Sequence, residues 1–372
     1  MGKLEFTYND RPSVGIELEL GLVDKQTQQL RSVINDVLQR LPADQQAQIK
    51  PELMQCYLEI NSGVCYTIDE AKLDLREKIC RVEAACDEVG VDLWWGATHP
   101  FSRHLDQDVT QTERYLNLLE LLQILARRMV TFGLHVHVGV DSGDKAVMIC
   151  DRIMQHLPTL LALSASSPYW DGRDTGLQSY RSKVLEGLPT AGLPPLMRNW
   201  SEYTWLVNHM IDTGFINTIR EIWWDVRPHH KFGTVEVRVC DMPGNLLDCL
   251  ALAALIQCLV KALSDLIDEG TYQHDCHPMM VQQNKWRACR FGNRSMLVNT
   301  FSHEPRSVPL VVHSLVEHLM PTADELDCVR YIEHVRQIAS LPSWADRQIQ
   351  IMQETGDPRE IVRRRTEQSR IS

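Results

Sequence analysis

Three short segments repeat one unusual alternation, and it constrains the fold more than any other feature of this 372-residue chain. Gly15-Ile-Glu-Leu-Glu-Leu20 carries Glu17 and Glu19 at alternate positions. Leu134-His-Val-His-Val-Gly139 does the same with His135 and His137, and Thr234-Val-Glu-Val-Arg-Val239 with Glu236 and Arg238. Successive side chains of a strand point to opposite faces. Each segment therefore reads as a strand with an aliphatic reverse face and an ionisable front. Taken singly, each is also an ordinary amphipathic strand with a solvated polar face. Surface strands, however, usually carry Thr, Lys, Ser and Gln. Like charges gathered on one sheet repel unless cations lie between them. Convergence of Glu17, Glu19, His135 and Glu236 thus points to divalent ions, and an oxygen-rich set favours Mg²⁺ or Mn²⁺ over zinc. Arg238 beside them suits a phosphate or a carboxylate, and the combination fits phosphoryl transfer.

A fourth segment, Pro51 to Asn61, belongs with these. Glu59 alternates with Leu58 and Ile60. Glu52 lies seven residues earlier with opposite parity, so it shares the site only across a bend or bulge. A solvated glutamate explains it equally well.

Periodicity predicts helices over 67–89, 112–130, 144–163 and 245–268, and strands over 14–22, 93–98, 134–140 and 234–240. Thr67 and Glu70 form a capping box, Gly90 suits the end of that helix, and the last helix is apolar on most sides. In the second helix Leu116, Leu119, Leu122 and Met129 are expected inward. The Pro- and Gly-rich stretch 187–195 is either a surface connection or a lid. No repeat or low-complexity linker divides the chain, so residues 1–372 are expected to form one catalytic domain, with 343–372 a polar helical tail. Arg363-Arg364-Arg365 in that tail reads as a solvated helix end.

The net charge is −11, from 38 Lys plus Arg against 49 Asp plus Glu, which leaves no electrostatic footprint for nucleic acid. None of the 11 cysteines is spaced C-x-x-C, and they read as reduced, buried thiols. The first residues lack an apolar signal core, and no run approaches the roughly 18 uninterrupted apolar residues of a membrane span. The expectation is a soluble, cytoplasmic protein with neither nucleic acid nor membrane as partner.

The segments Gly15-Ile-Glu-Leu-Glu19, Thr98-His-Pro100, Glu113-Arg-Tyr115, Phe132-Gly-Leu-His-Val-His-Val-Gly139, Ser164-Ala-Ser-Ser-Pro-Tyr169, Trp224-Asp-Val-Arg-Pro228, Phe232–Val239 and Asn284–Gly292 together resemble the bacterial carboxylate–amine ligase family, glutamate–cysteine ligase type 2. The resemblance spans most of the chain. It implies an α+β, glutamine synthetase/guanido kinase-like catalytic domain: a curved, mainly antiparallel sheet packed by helices. It implies ATP-dependent ligation with Mg²⁺, in which L-glutamate is phosphorylated to an acyl phosphate and attacked by an amine, nominally L-cysteine. By the same analogy Glu19, Glu52 and Glu59 hold one metal, and Glu17, His135 and Glu236 a second. His137 then lies by the phosphates, Arg238 stabilises developing charge, and the chain is a homodimer.

Five further arginines are candidates for substrate or nucleotide. Arg173 and Arg181 flank a loop and could bind triphosphate or the glutamate α-carboxylate, or be surface arginines. Arg227 could bind a ligand or form a structural salt bridge. Arg287 and Arg290 share one helix face and could contact nucleotide. His99 reads equally as a satisfied turn histidine, and Tyr169, Trp170 and the Trp94-Trp95 and Trp223-Trp224 pairs read as packing. Two other functions stand behind the ligase: a metal-dependent hydrolase built on His-x-His, and a non-catalytic ligand-binding relative.

Overall fold

The computed structural model describes residues 4–42, 48–271, 276–299 and 302–371. Its main sheet has seven strands: β1 Val14–Asp24, β2 Ile49–Pro51, β3 Tyr57–Asn61, β4 Val91–Trp94, β5 Gly133–Gly139, β6 Val226–His229 and β7 Thr234–Asp241. All pairings within it are antiparallel, in the order β6-β7-β5-β1-β3-β2. The far end of β1 pairs with β4, beyond its pairing with β5. Helices named below are α1 Ile68–Val89, α2 Glu113–Leu122, α3 Tyr180–Leu185, α4 Leu246–Asp268, α5 Pro278–Phe291, α6 Trp344–Thr355 and α7 Pro358–Ser369. This is the α+β arrangement expected, with a mainly antiparallel sheet backed by helices.

Alternation builds the sheet's two faces. Ile16, Leu18, Leu20, Leu58, Ile60, Leu134, Val136, Val138, Val235 and Val237 are all buried on the reverse side. One apolar cluster continues from them through α4 to Ile361 and Val362. α4, although interrupted by Asp248, Gln257, Lys261 and Asp265, is long and apolar enough to cross a membrane by length and composition, but 83 % of its most apolar window is buried. Its Gln257 donates to the Pro12 carbonyl at 2.8 Å. α4 is a core helix.

α1 forms as predicted, with the Thr67–Glu70 capping box and left-handed Gly90 at its end. The helix expected over 112–130 stops at Leu122, because Gln123 takes a φ of +49°. Its buried residues are Tyr115, Leu118 and Leu122, whereas Leu116 is 42 % exposed. Of the four residues expected inward, Leu122 is buried, Leu119 and Met129 pack partly buried against the core, and Leu116 faces out. The helix expected over 144–163 is interrupted by a 3-10 turn at Met154–His156, just ahead of Pro158. The strand expected over 93–98 runs instead from Val91 to Trp94.

The tail is not a solvated appendage. Arg365 is 2 % exposed, lies 4.0 Å over the Trp344 ring and donates to the Gly244 carbonyl. Gln348 donates to the Ser166 carbonyl at 2.7 Å. The charge run splits by helical position: Arg363 and Arg364 pair with Glu360 at the surface, and Arg365 turns inward. Among the described residues none of the 11 cysteines is joined in a disulfide, and nine are buried.

His99 is the satisfied turn histidine. Its Nδ1 accepts from the Ser102 and Phe101 amides at 2.9 and 3.3 Å, and its Nε2 donates to the Gln28 carbonyl at 3.0 Å. Burial pushes its pKa down to about 3, against about 6.5 in an unfolded chain. Between those values the unfolded chain binds a proton that the folded ring refuses, so stability is full above about pH 6.5 and drains as pH falls. We expect His99→Asn, which keeps an acceptor without a titrating ring, to flatten the slope of unfolding free energy between about pH 6.5 and 4. An unchanged slope in denaturant titrations would discount His99.

Candidate active site

Pair register converts the three alternations into one patch. Glu17 sits opposite His135, Glu19 opposite Glu59, and His137 opposite Glu236. Directly opposed side chains lie about 5 Å apart at Cβ, so the ionisable fronts of four adjacent strands merge. The merged patch is the floor of a cavity of about 640 Å³, within the range of small-ligand sites. Two irregularities add to it. The β5–β7 register slips by one residue between Val237 and Cys240, the mark of a bulge at Arg238 and Val239. Glu52 enters through a hairpin: β2 pairs with β3 as Lys50 opposite Glu59 and Pro51 opposite Leu58. Across that reversal odd separations, not even ones, share a face, so Glu52 joins Lys50 and Glu59 without a bulge.

The cluster is tight. Glu17 Oε2 is 3.2 Å from His135 Nδ1, and Glu17 Oε1 is 3.3 Å from His137 Nε2. His137 Nε2 lies 3.9 Å from Glu236 Oε1, and His135 Nε2 3.9 Å from Glu19 Oε1. His137 Nδ1 and the Thr234 hydroxyl are hydrogen bonded at 3.0 Å. Glu19 accepts the Gly133 amide, and Glu52 accepts from the Tyr115 hydroxyl at 3.4 Å.

Electrostatics divide the carboxylates. Burial and the charge of Glu19 push Glu52 up to about 7, against the pull of Arg114. Burial, Glu17 and Glu52 hold Glu59 well above the carboxylate range. Burial would raise Glu17 and Glu236 too, but His137 and His135 hold Glu17 well below its ordinary value, and Arg227 and Arg238 do so for Glu236. Burial lowers His135, while Glu236 and Glu17 outweigh burial and raise His137.

These residues fit divalent cations. Glu17, Glu59 and His135 offer ligand atoms within 4.8 Å of one another, as do Glu17, His137 and Glu236. The buried Nε2 atoms of both histidines have no hydrogen-bond partner; neither is aligned with its neighbouring carboxylate. Two carboxylates driven toward protonation beside two unpaired imidazole nitrogens are what oxygen-preferring metals would relieve. The grouping differs from that expected by analogy. His137 joins Glu17 and Glu236, and His135 joins Glu17 and Glu59, because each histidine falls in with its cross-strand partner. Glu19 and Glu52 line the same cavity outside both triads.

Of the six arginines expected at the site, three line the cavity: Arg181, Arg227 and Arg238. Arg227 grips both oxygens of Glu236, at 2.7 and 3.2 Å, and donates to the Ile219 and Ile222 carbonyls. It is a structural salt bridge and a cavity wall at once. Arg238 bonds Glu236 and approaches His135 Nδ1 at 3.5 Å. Arg181 lies buried against Gly133, where a Cβ would come within 2.2 Å of its Nη2. Arg173, Arg287 and Arg290 do not line the cavity. Arg173 is exposed on a two-residue strand, Arg287 donates to the Met296 carbonyl at 3.0 Å, and Arg290 covers the Phe291 ring at 5.0 Å. The segment 187–195 contributes no lining residue either.

Sequence reasoning passed over several cavity residues: Lys50, Tyr57, Arg114, Tyr115, Trp223, Trp224 and the turn His229–Phe232. Arg114 and Tyr115 were visible as a family segment without a role. The tryptophan pair resembled packing because it sits in an apolar stretch, and Trp224 is indeed buried. Lys285 was hidden inside a helix. It is 2 % exposed and ties Asp225 to Glu186, at 2.5 and 2.9 Å, joining the segment beside Arg238 to the end of the helix that carries Arg181.

The sequence profile of glutamate–cysteine ligase family 2 matches residues 13–364. A Gloeobacter violaceus protein named "Putative glutamate--cysteine ligase 2" is 39 % identical over 350 residues, 94 % of each chain. A Frankia casuarinae protein named "Putative glutamate--cysteine ligase 2-1" is 42 % identical over 330 residues, 88 % of this chain and 86 % of that one. Among solved structures, glutamate–cysteine ligase from Francisella tularensis in complex with AMP superposes with a TM-score of 0.71 at 12 % identity, over 98 % of this chain and 90 % of that one. A bifunctional glutathione synthetase from Pasteurella multocida gives 0.70 at 13 % identity, and this chain spans 52 % of its length. At such identities the two structures speak for the fold alone. The profile and the relatives go further: this chain belongs to glutamate–cysteine ligase family 2, and it is a ligase of that kind.

Proposed function

We propose that the chain is an ATP-dependent carboxylate–amine ligase acting on L-glutamate. A γ-carboxylate oxygen attacks the γ-phosphorus of ATP and ADP leaves. The amine, nominally that of L-cysteine, then attacks the acyl carbon, expels phosphate and loses a proton, giving γ-glutamylcysteine. One observation carries the reading: register merges five cavity glutamates and two histidines on the floor of one cavity that Arg181, Arg227 and Arg238 also line. Family membership and the AMP-bound structural neighbour agree with it.

A carboxylate is a poor electrophile, and two anions must meet before it can be activated. Mg²⁺, with Mn²⁺ as a substitute, would be held by Glu17, Glu59 and His135 and by Glu17, His137 and Glu236, and when bound supplies the charge neutralisation this meeting requires. The chain's own residues do the rest. Arg238 is the guanidinium nearest both triads and offers hydrogen bonds to charge developing on the transferred phosphoryl group. Arg227 holds Glu236 by two hydrogen bonds so that its carboxylate stays ionised and oriented. Leu185, Met129, Trp223 and Trp224 close apolar parts of the cavity, which protects an acyl phosphate from water. The resemblance also supports a homodimer in the cytoplasm, and sedimentation of the purified protein tests the first of these.

The test is ADP release with ATP and Mg²⁺ across amino-acid donors and amine acceptors. Release that requires L-glutamate and one amine establishes the reaction and identifies the acceptor. No ATP binding at all would sink the ligase reading.

A further inference from the structure

The turn between β6 and β7 forms one lip of the cavity. Phe232 on this turn is 57 % exposed, which alone needs no explanation. Its setting does. The ring lies flat on that of His229, with centroids 4.2 Å apart and planes 15° from parallel. Both rings stand edge-on to His137, at 5.6 and 5.4 Å.

The turn is held rigidly from outside. Asn9 Nδ2 donates to the Phe232 and Gly233 carbonyls at 2.8 and 2.7 Å. The Thr7 hydroxyl donates to the Lys231 carbonyl, and the Thr7 amide to that of His230, both at 2.9 Å. Gly233 takes a φ of +64°, and a Cβ there would come within 2.0 Å of the Thr7 carbonyl oxygen, so the turn admits only glycine at this point. His230 is 8 % exposed, and its buried Nδ1 has no hydrogen-bond partner, although the residue lines the cavity. Exposed Lys231 lies on the turn itself, and exposed Arg220 lines the same cavity.

A fixed aromatic face, an unspent imidazole nitrogen and two cations match a planar heterocycle that carries phosphates. A plain anion would not use the ring, and an aliphatic amino acid would not use its flatness. We propose that the 229–233 turn is a nucleobase platform: Phe232 stacks on the base, His230 hydrogen-bonds its edge, and Arg220 and Lys231 face its phosphates. The proposal rests on the ligase reading and identifies where that ligase recognises its nucleotide.

The experiment compares ATP with tripolyphosphate, which has the phosphates and lacks the base, by calorimetric titration of the full chain with Mg²⁺. Phe232→Ala is expected to weaken ATP binding by about tenfold to a hundredfold and to leave tripolyphosphate within about twofold, the range of one lost base stack. Phe232→Tyr, which keeps the ring, is expected to bind ATP like the unaltered protein. Unchanged ATP binding in Phe232→Ala overturns the platform, and so does an equal loss for both ligands. An unaltered protein that binds tripolyphosphate as tightly as ATP also overturns it, while leaving the ligase reading in place. An unaltered protein that binds neither removes the ligase reading itself.

Discussion

Glu236→Gln is expected to abolish ligation, lowering ADP formation by about a thousandfold or more. The carboxylate is 1 % exposed and central to the site. It belongs to the triad with Glu17 and His137, and it bonds both Arg227 and Arg238. An amide of the same size removes the negative charge that both guanidinium groups and a cation would share. The variant is also expected to be less stable, by about 3 kcal/mol, because buried Arg227 then keeps no carboxylate partner among the described residues. Activity is therefore to be read well below the unfolding midpoint, alongside Mn²⁺ binding followed by its paramagnetic resonance. Near-normal turnover would take Glu236 out of the reaction. Arg238→Lys is expected to fail as well, since an ammonium cannot span Glu236 and a second acceptor at once.

The second large effect is expected at Arg181, on the donor side. Its guanidinium is 3 % exposed, yet no carboxylate lies within ion-pair distance among the described residues. Two of its nitrogens share the Arg238 carbonyl at 3.4 and 3.3 Å, and Nε has no partner. Asp241, which feels its charge, is already filled by the Ser166 amide and the Ser167 and Ser179 hydroxyls. A buried guanidinium with donors to spare is poised for a planar anion. If that anion is the donor's α-carboxylate, Arg181→Met raises the KM for L-glutamate about a hundredfold, the worth of a charged hydrogen-bonded pair, and leaves that for ATP alone. The control is 4-aminobutyrate, which lacks the α-carboxylate: variant and parent should use it equally poorly. Equal losses with both donors would assign Arg181 to the fold, and a change confined to ATP would assign it to phosphate.

Much of the site was legible because strand alternation is local. Glu17, Glu19, His135, His137, Glu236 and Arg238 each sit two residues from a partner of the same face, and their reverse-face neighbours are aliphatic. Glu52 was not legible by that rule, since parity counted along one strand inverts across the hairpin that joins β2 to β3. Arg173, Arg287 and Arg290 shared residue type and neighbourhood with Arg181 and Arg227. Only position separates them: the first three end on the surface or against backbone carbonyls and an aromatic ring. The aromatic turn at 229–233 had no periodic signature at all. Its role depends on Thr7 and Asn9, more than 220 residues away.

What the sequence determined by itself was which residues face which way, because period two in a strand and the capping chemistry of a helix such as α1 are set within a few residues. It also determined the family, through segments spread along nearly the whole chain. Tertiary structure decided which fronts meet. Strand order places β5 between β1 and β7, so His135 lies opposite Glu17 and His137 opposite Glu236, and the candidate ligand groups follow register instead of chain order. It also decided that Arg365 and Gln348 belong to the interior and that α4 is core and not a membrane span. Composition cannot make those distinctions. A polar or apolar side chain is committed by what packs against it, and that partner comes from a distant part of the chain.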